Sequence, residues 1–105
     1  MSVYILAQLR IHDRARYDRY AAAFMPVLIK HGGRLLVSDE HPAVVEGNWD
    51  REKAVLLRFD TRAQAEAWMN SPEYREIAKD RMAGSDAVVL MLEGLQARPQ
   101  QSSAT

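Results

Sequence analysis

The stretch from Val44 to Tyr74, VVEGNWDREKAVLLRFDTRAQAEAWMNSPEY, constrains the fold of this chain most. It sets turn chemistry, Gly47-Asn48-Trp49-Asp50, before a run in which Val55, Leu57 and Phe59 alternate with Ala54, Leu56 and Arg58. Alternation with period two marks a strand, because successive side chains leave opposite faces. Thr61 follows with Gln64 three residues on, the spacing of a capping box at a helix start. Ser71 and Pro72 then open a second helix. Serine caps free N–H groups, and proline has no N–H to lose at a first helical position.

The flanking sequence fills in the remaining elements. Val3 to Ile11 reads as a strand, with Ile5, Ala7, Leu9 and Ile11 on one face and Tyr4, Leu6, Gln8 and Arg10 on the other. Asp13 is a good N-cap for the next helix. Along that helix Tyr17, Tyr20, Ala21, Phe24, Leu28 and His31 form one stripe. Pro26 sits within the stripe and predicts a kink or break, because it removes the bond to the Ala22 carbonyl. Gly32-Gly33 ends the helix. Arg34 to Ser38 is a second strand, and Ala43 to Glu46 is expected to continue it or pair again. Ala65, Trp68 and Met69 make the apolar face of the Thr61 helix. Tyr74, Ile77, Ala78 and Met82 make that of the next, which Gly84 stops. Ala87 to Leu92 is the last strand.

The order is strand, helix, strand, strand, helix pair, strand. That is a ferredoxin-like βαββαβ α+β domain, an antiparallel sheet with helices on one face. One domain over residues 1–95 is expected, and residues 96–105 read as a disordered polar tail. The helices can cover only one sheet face. The other still carries Tyr4, Leu6, Leu36, Leu56 and Val89 or Met91, a large apolar patch for a monomer. Two sheets packed face to face would cover it, so a homodimer forming a dimeric α/β barrel is expected.

Bulk properties exclude several function classes. The 105 residues carry 14 basic and 14 acidic side chains, with no basic excess for nucleic-acid phosphates. The apolar run near the N-terminus is too short for a membrane span and lacks the basic flank of a signal peptide. With no cysteine, thiolate chemistry is excluded, and a cytoplasmic location fits. His12, His31 and His41 match no metal-ligand spacing, so neither a metal nor a cofactor is expected.

The resemblance to a family rests on several pieces in order. These are Tyr17 and Tyr20, Gly32-Gly33-Arg34, Val45-Glu46-Gly47-Asn48-Trp49, the Val55–Phe59 strand, Ala67-Trp68, Ser71-Pro72-Glu73-Tyr74, Arg81 and Glu93-Gly94. Together they resemble the domain-of-unknown-function 1330 family, although Arg58 stands where that family often has an acidic residue. The resemblance implies the dimeric α+β barrel superfamily and no established reaction. Relatives by fold include cofactor-independent oxygenases, isomerases, haem-degrading enzymes and ligand-sensing modules.

Candidate ligand-binding residues are Arg34, Glu46, Trp49, Arg58, Trp68, Tyr20, Tyr74 and Arg81. Glu46 beside Arg34 or Arg58 would make an ion pair that holds a polar ligand, acts as a base, or is merely structural. The four aromatics would either line an apolar pocket or fill the core. Arg81 would reach the pocket mouth, pair with Asp80 of a partner, or lay its stem on the surface. Two functions follow. One is a small-molecule-binding dimer with a pocket between helices and sheet, open to cofactor-free oxygenase- or isomerase-like catalysis. The other is a non-catalytic homodimeric interaction or stress-response module. A transcription regulator would need a DNA-binding segment beyond these elements.

Overall fold

The computed structural model describes residues 1–95. The elements run β1 (Val3–Ile11), α1 (Arg14–Lys30), β2 (Arg34–Asp39), β3 (Lys53–Phe59), α2 (Arg62–Asn70), α3 (Pro72–Gly84) and β4 (Ser85–Glu93). The sheet order is β2-β3-β1-β4, and every neighbouring pair is antiparallel. β1 and β2 therefore run parallel on either side of β3, with α1 as the crossover between them. This is the ferredoxin-like α+β arrangement expected from the element order. The expected tail, residues 96–105, lies outside the described residues.

Each helix starts where a side chain takes up the orphan N–H groups of its first turn. Asp13 accepts from Arg16 N at 3.2 Å. Thr61 and Gln64 form the complete capping box. Ser71 Oγ accepts from Tyr74 N at 3.1 Å while donating to the Trp68 carbonyl at 2.8 Å, so one serine joins α2 to α3.

α1 does not break at Pro26; it continues to Lys30 as one α-helix. Ala22 and Pro26 are both exposed, so water can take the bond that the Ala22 carbonyl loses. Beyond α1, Gly32 adopts φ +79°, which suits glycine. Gly33 is buried for another reason. A Cβ there would sit 2.3 Å from Leu28 Cδ1 and 2.8 Å from the Phe59 ring. Gly84 also acts by close approach: its carbonyl accepts from His12 N and Asp13 N, and a Cβ would lie 2.9 Å from Asp13 O.

The core lies between the helices and one sheet face. Val3, Ile5, Leu9, Leu57 and Phe59 point into it from the sheet, each at most 2% exposed. Tyr17, Tyr20, Phe24 and Leu28 meet them from α1, and Ala65 and Trp68 from α2. Met82, expected in the α3 stripe, is 65% exposed instead.

The opposite face is apolar and carries no helix. Leu6 pairs in register with Leu56 on one side and Leu90 on the other, a leucine row across three strands. Val88, Leu90 and Leu92 share that face of β4, each 42% exposed. This corrects the expectation for β4. Because Leu6 pairs with Leu90, the odd-numbered Val89 and Met91 must face the helices. On β2 the ladder slips by one residue between Leu35 and Val37, so Val37 lies opposite Leu56.

Ala43 to Glu46 forms no strand. Pro42 has no N–H for a ladder, and polar contacts hold the connection instead. Asp39 accepts from His41 N at 2.9 Å, Glu40 from Arg14 at 2.7 Å, and Glu52 from Ile11 N at 2.7 Å.

Candidate functional site

Between the helices and the sheet the packing leaves a cavity of about 340 Å³. That is at the lower end of the roughly 300–1,000 Å³ common for small-molecule sites. β1 and β3 supply its floor through Ile5, Ala7, Leu9, Val55 and Leu57. Helical spacing along α1 supplies one wall, Tyr17, Tyr20 and Phe24, and α2 and α3 add Trp68, Tyr74 and Arg81. Exposed Ala21 and Met25 on α1 and Leu35 and Ser38 on β2 also border it, so the cavity opens between those two elements.

The wall is a continuous run of aromatic rings. Tyr17 and Tyr20 lie 5.7 Å apart between centroids, Tyr20 and Tyr74 6.1 Å, and Tyr74 and Trp68 4.1 Å. The Tyr20 and Tyr74 hydroxyls share a 2.9 Å hydrogen bond. Burial, reinforced by the Tyr74 phenol, pushes the Tyr20 hydroxyl well above the usual phenol range, while Arg81 pulls against the shift. Tyr20 is therefore held as a neutral hydroxyl that can donate.

Two buried N–H groups on side chains that line it, Trp68 Nε1 and Arg81 Nε, have no partner among the described residues. Leaving such a donor unmade costs about 1–3 kcal/mol. Arg81 also makes no ion pair among the described residues. Its neighbour Asp80 is taken within the chain, accepting from Arg16 at 2.6 Å and Arg19 at 3.3 Å. These contacts hold the Asp80 carboxyl below its usual pKa.

Lys53 is the functional candidate that the sequence reading passed over. It is 8% exposed, with Nζ 4.8 Å from the Tyr17 ring centroid and 3.6 Å from Glu40 Oε2. The signal was present: Lys53 shares the inward parity of Val55, Leu57 and Phe59, and a lysine on a buried face calls for a reason. It also borders a second, more polar cleft of about 560 Å³, lined by Arg14, Glu40, Trp49 and Glu52 among others. There Glu40 is held below its usual pKa, chiefly by the hydrogen bond from Arg14.

A family model described as a domain of unknown function, DUF1330, matches residues 2–95. The chain belongs to the DUF1330 family. No curated protein matches it by sequence. Among solved structures, it superposes on RPA0582 of Rhodopseudomonas palustris, a protein of unknown function, with TM-score 0.78 and 18% identity, over 91% of this chain and 84% of that one. A dimeric ferredoxin-like protein of unknown function from Jannaschia sp. CCS1 matches with TM-score 0.67 and 17% identity, over 90% and 100%. SnoaB of Streptomyces nogalater, a cofactor-independent oxygenase, matches with TM-score 0.64 and 11% identity, over 93% and 97%. At these identities the likeness is one of fold.

The eight candidates named from the sequence divide in two within this DUF1330 fold. Tyr20, Trp68, Tyr74 and Arg81 meet at the central cavity. Arg34, Glu46, Trp49 and Arg58 do not border it. Arg58 lies on the helix-free sheet face, donating to Asp60 at 2.9 Å and to Ser2 Oγ at 2.7 Å. Arg34 is opposite it in register and exposed. Glu46 is exposed in the β2–β3 connection, and no ion pair with either arginine forms among the described residues. Trp49 is half-buried because its Nε1 donates to Gln8 Oε1 at 2.8 Å, which pins the connection to β1. No group of three or more His, Asp or Glu side chains is placed to hold a metal among the described residues.

Proposed function

We propose that this DUF1330 protein binds a small organic molecule in the cavity between its helices and its sheet. The observation that carries the reading is the pair of buried, unpartnered donors, Trp68 Nε1 and Arg81 Nε, in an aromatic lining. Buried polar groups are almost always paired, and a small rotation of either side chain toward a bound ligand would pair these two. The protein works as a homodimer in this reading, two copies meeting through the leucine row of the helix-free face. Support comes from the apolar character of that face and from the Jannaschia relative, which is described as dimeric.

Binding is favoured over catalysis by what lines the cavity. A fold relative is a cofactor-independent oxygenase, and such a reaction is the enzymatic form of the proposal. Among the described residues the lining holds no Asp, Glu or His to serve as a general base, and Tyr20 is held neutral. The alternative is a non-catalytic interaction module whose working surface is the helix-free face. Its support is the exposed row of Val88, Leu90 and Leu92.

A metabolite library screened by thermal shift separates these readings. Ligand that binds the native state alone raises Tm. The binding reading expects hits whose shifts shrink in Arg81→Met and Trp68→Phe but persist in Glu46→Gln. A library without hits, or hits indifferent to both cavity substitutions, would falsify it.

A further inference from the structure

The cavity wall offers donors and cations, and its one nearby acid, Glu40, stands outside the lining. Two of its lining side chains carry ammonium or guanidinium groups, Lys53 and Arg81, and none among the described residues carries a carboxylate. Glu40 approaches Lys53 at 3.6 Å, but the same Oε2 lies 2.7 Å from Arg14, so one carboxylate faces two cations.

The register places these groups. Leu9 pairs with Lys53 on one side and with Ala87 on the other. Arg81 shares a surface hollow with Ala87 and Val89. Lys53 and Arg81 therefore flank the Leu9 end of the cavity. Trp68 packs on Phe59, at the far end of β3 from Lys53. Both cations lie at one end of the cavity, and Trp68 lies at the other, with the tyrosines between.

We infer that the ligand is a ring-bearing organic anion, an aromatic carboxylate or an enolate. Its anionic oxygens lie between Lys53 and Arg81, and its apolar body extends along the tyrosines toward Trp68. The inference rests on the cavity being a ligand site and adds the charge and polarity of what fills it. Guanidinium and carboxylate geometries match, and water-poor surroundings strengthen the pairing. A cationic ligand would meet two like charges there and find no partner.

Isothermal titration with the full chain tests it, using three probes of one ring system: 2-naphthoate, 2-naphthalenemethanol and 2-naphthylmethylammonium. We expect naphthoate to bind at least about tenfold more tightly than the ammonium compound, the effect of one charge-assisted hydrogen bond. Arg81→Met should remove most of that preference, Arg81→Lys should keep part of it, and Lys53→Met should weaken naphthoate alone. Ammonium binding as tight as naphthoate, or an unchanged preference in both Arg81→Met and Lys53→Met, overturns the inference. If the neutral alcohol binds as tightly as naphthoate, the cavity reading stands and the anion inference falls. If no probe binds, the charge of whichever library compounds raise Tm decides, and an absence of any such compound ends both readings.

Discussion

The two faces of the same four strands meet opposite fates. On the helix side Ile5, Leu9, Leu57 and Phe59 are at most 2% exposed. On the other side Val37, Val88, Leu90 and Leu92 stay 42–43% exposed, although they are just as apolar. The faces also differ in what they leave unsatisfied. The covered face encloses a hollow with two polar donors that lack partners. The bare face lacks nothing polar and exposes hydrocarbon. In the proposed function a small molecule with acceptors would meet the first shortage, and a large apolar surface the second. This is why ligand binding and self-association are assigned to different sides of one sheet.

The largest expected effect breaks the bare face. Leu6 is the middle of the Leu56–Leu6–Leu90 row. Leu6→Arg removes a leucine from each copy and sets a charge in its place. At about 1.5–3 kcal/mol per leucine, self-association should weaken on the order of a thousandfold. Light scattering on a sizing column reads the mass. A wild-type chain that is monomeric at micromolar concentration, or a variant of unchanged dimeric mass, sinks the assignment of that face.

On the covered face, Trp68 separates packing from donor chemistry. Trp68→Ala should cost about 3–5 kcal/mol in urea unfolding, as for a large buried aromatic. Trp68→Phe keeps a ring against Phe24 and Phe59 and deletes the unpartnered N–H. The stability of the free protein should then change by no more than about 1 kcal/mol, since the relieved donor offsets lost contacts. Naphthoate affinity should still fall. A Trp68→Phe chain that unfolds like Trp68→Ala would show that packing alone keeps tryptophan there. Gly33→Ala is milder, about 1–3 kcal/mol of overpacking against Leu28 and Phe59. Unchanged stability in that variant would mean that the α1–β2 corner yields to the added methyl group.

How far the sequence revealed these faces depended on the kind of signal. Local chemistry was legible. Asp13, the Thr61–Gln64 box and Ser71-Pro72 act within one helical turn, and the structure starts its helices at each. Alternation in β1 and β3 showed that both faces are apolar. It could not show which parity of β4 faces the helices, because Val88 to Leu92 is apolar at every position. Only pairing with β1 decides, and it puts Val89 and Met91 on the helix side. Half of the candidate site was readable because Tyr20, Trp68 and Tyr74 lie on helical stripes. Arg34, Glu46 and Arg58 looked alike as charges near strands, yet the cavity lies on the sheet side that the two arginines do not face, and Glu46 sits in the exposed β2–β3 connection. Lys53 was missed because the alternation was followed only from Ala54 onward.

The smallest expected effect sharpens how the covered face stays covered. α1 is tied to α3 at both ends by ion pairs, Arg16 and Arg19 to Asp80 at its start and Lys30 to Glu73 at its end. Between them lies the Tyr20–Tyr74 hydrogen bond. Arginine holds the Asp80 carboxyl below its usual pKa, and Lys30 does the same for Glu73. A folded pKa below the unfolded one means that the unfolded chain binds more protons on acidification. The stabilisation is therefore complete above the unfolded carboxylate pKa of about 4 and is lost as pH falls through the folded values. All three pairs are solvated, so each contributes little, and salt screens them. Tm should decline below about pH 5 more gently in Asp80→Asn than in wild type, and 1 M NaCl should shrink the difference. The bare face has no such carboxylates in its leucine row, so the dimer mass should hold over the range in which Tm falls. Matching acid limbs in wild type and Asp80→Asn would mean that apolar packing alone seats the helices on the sheet.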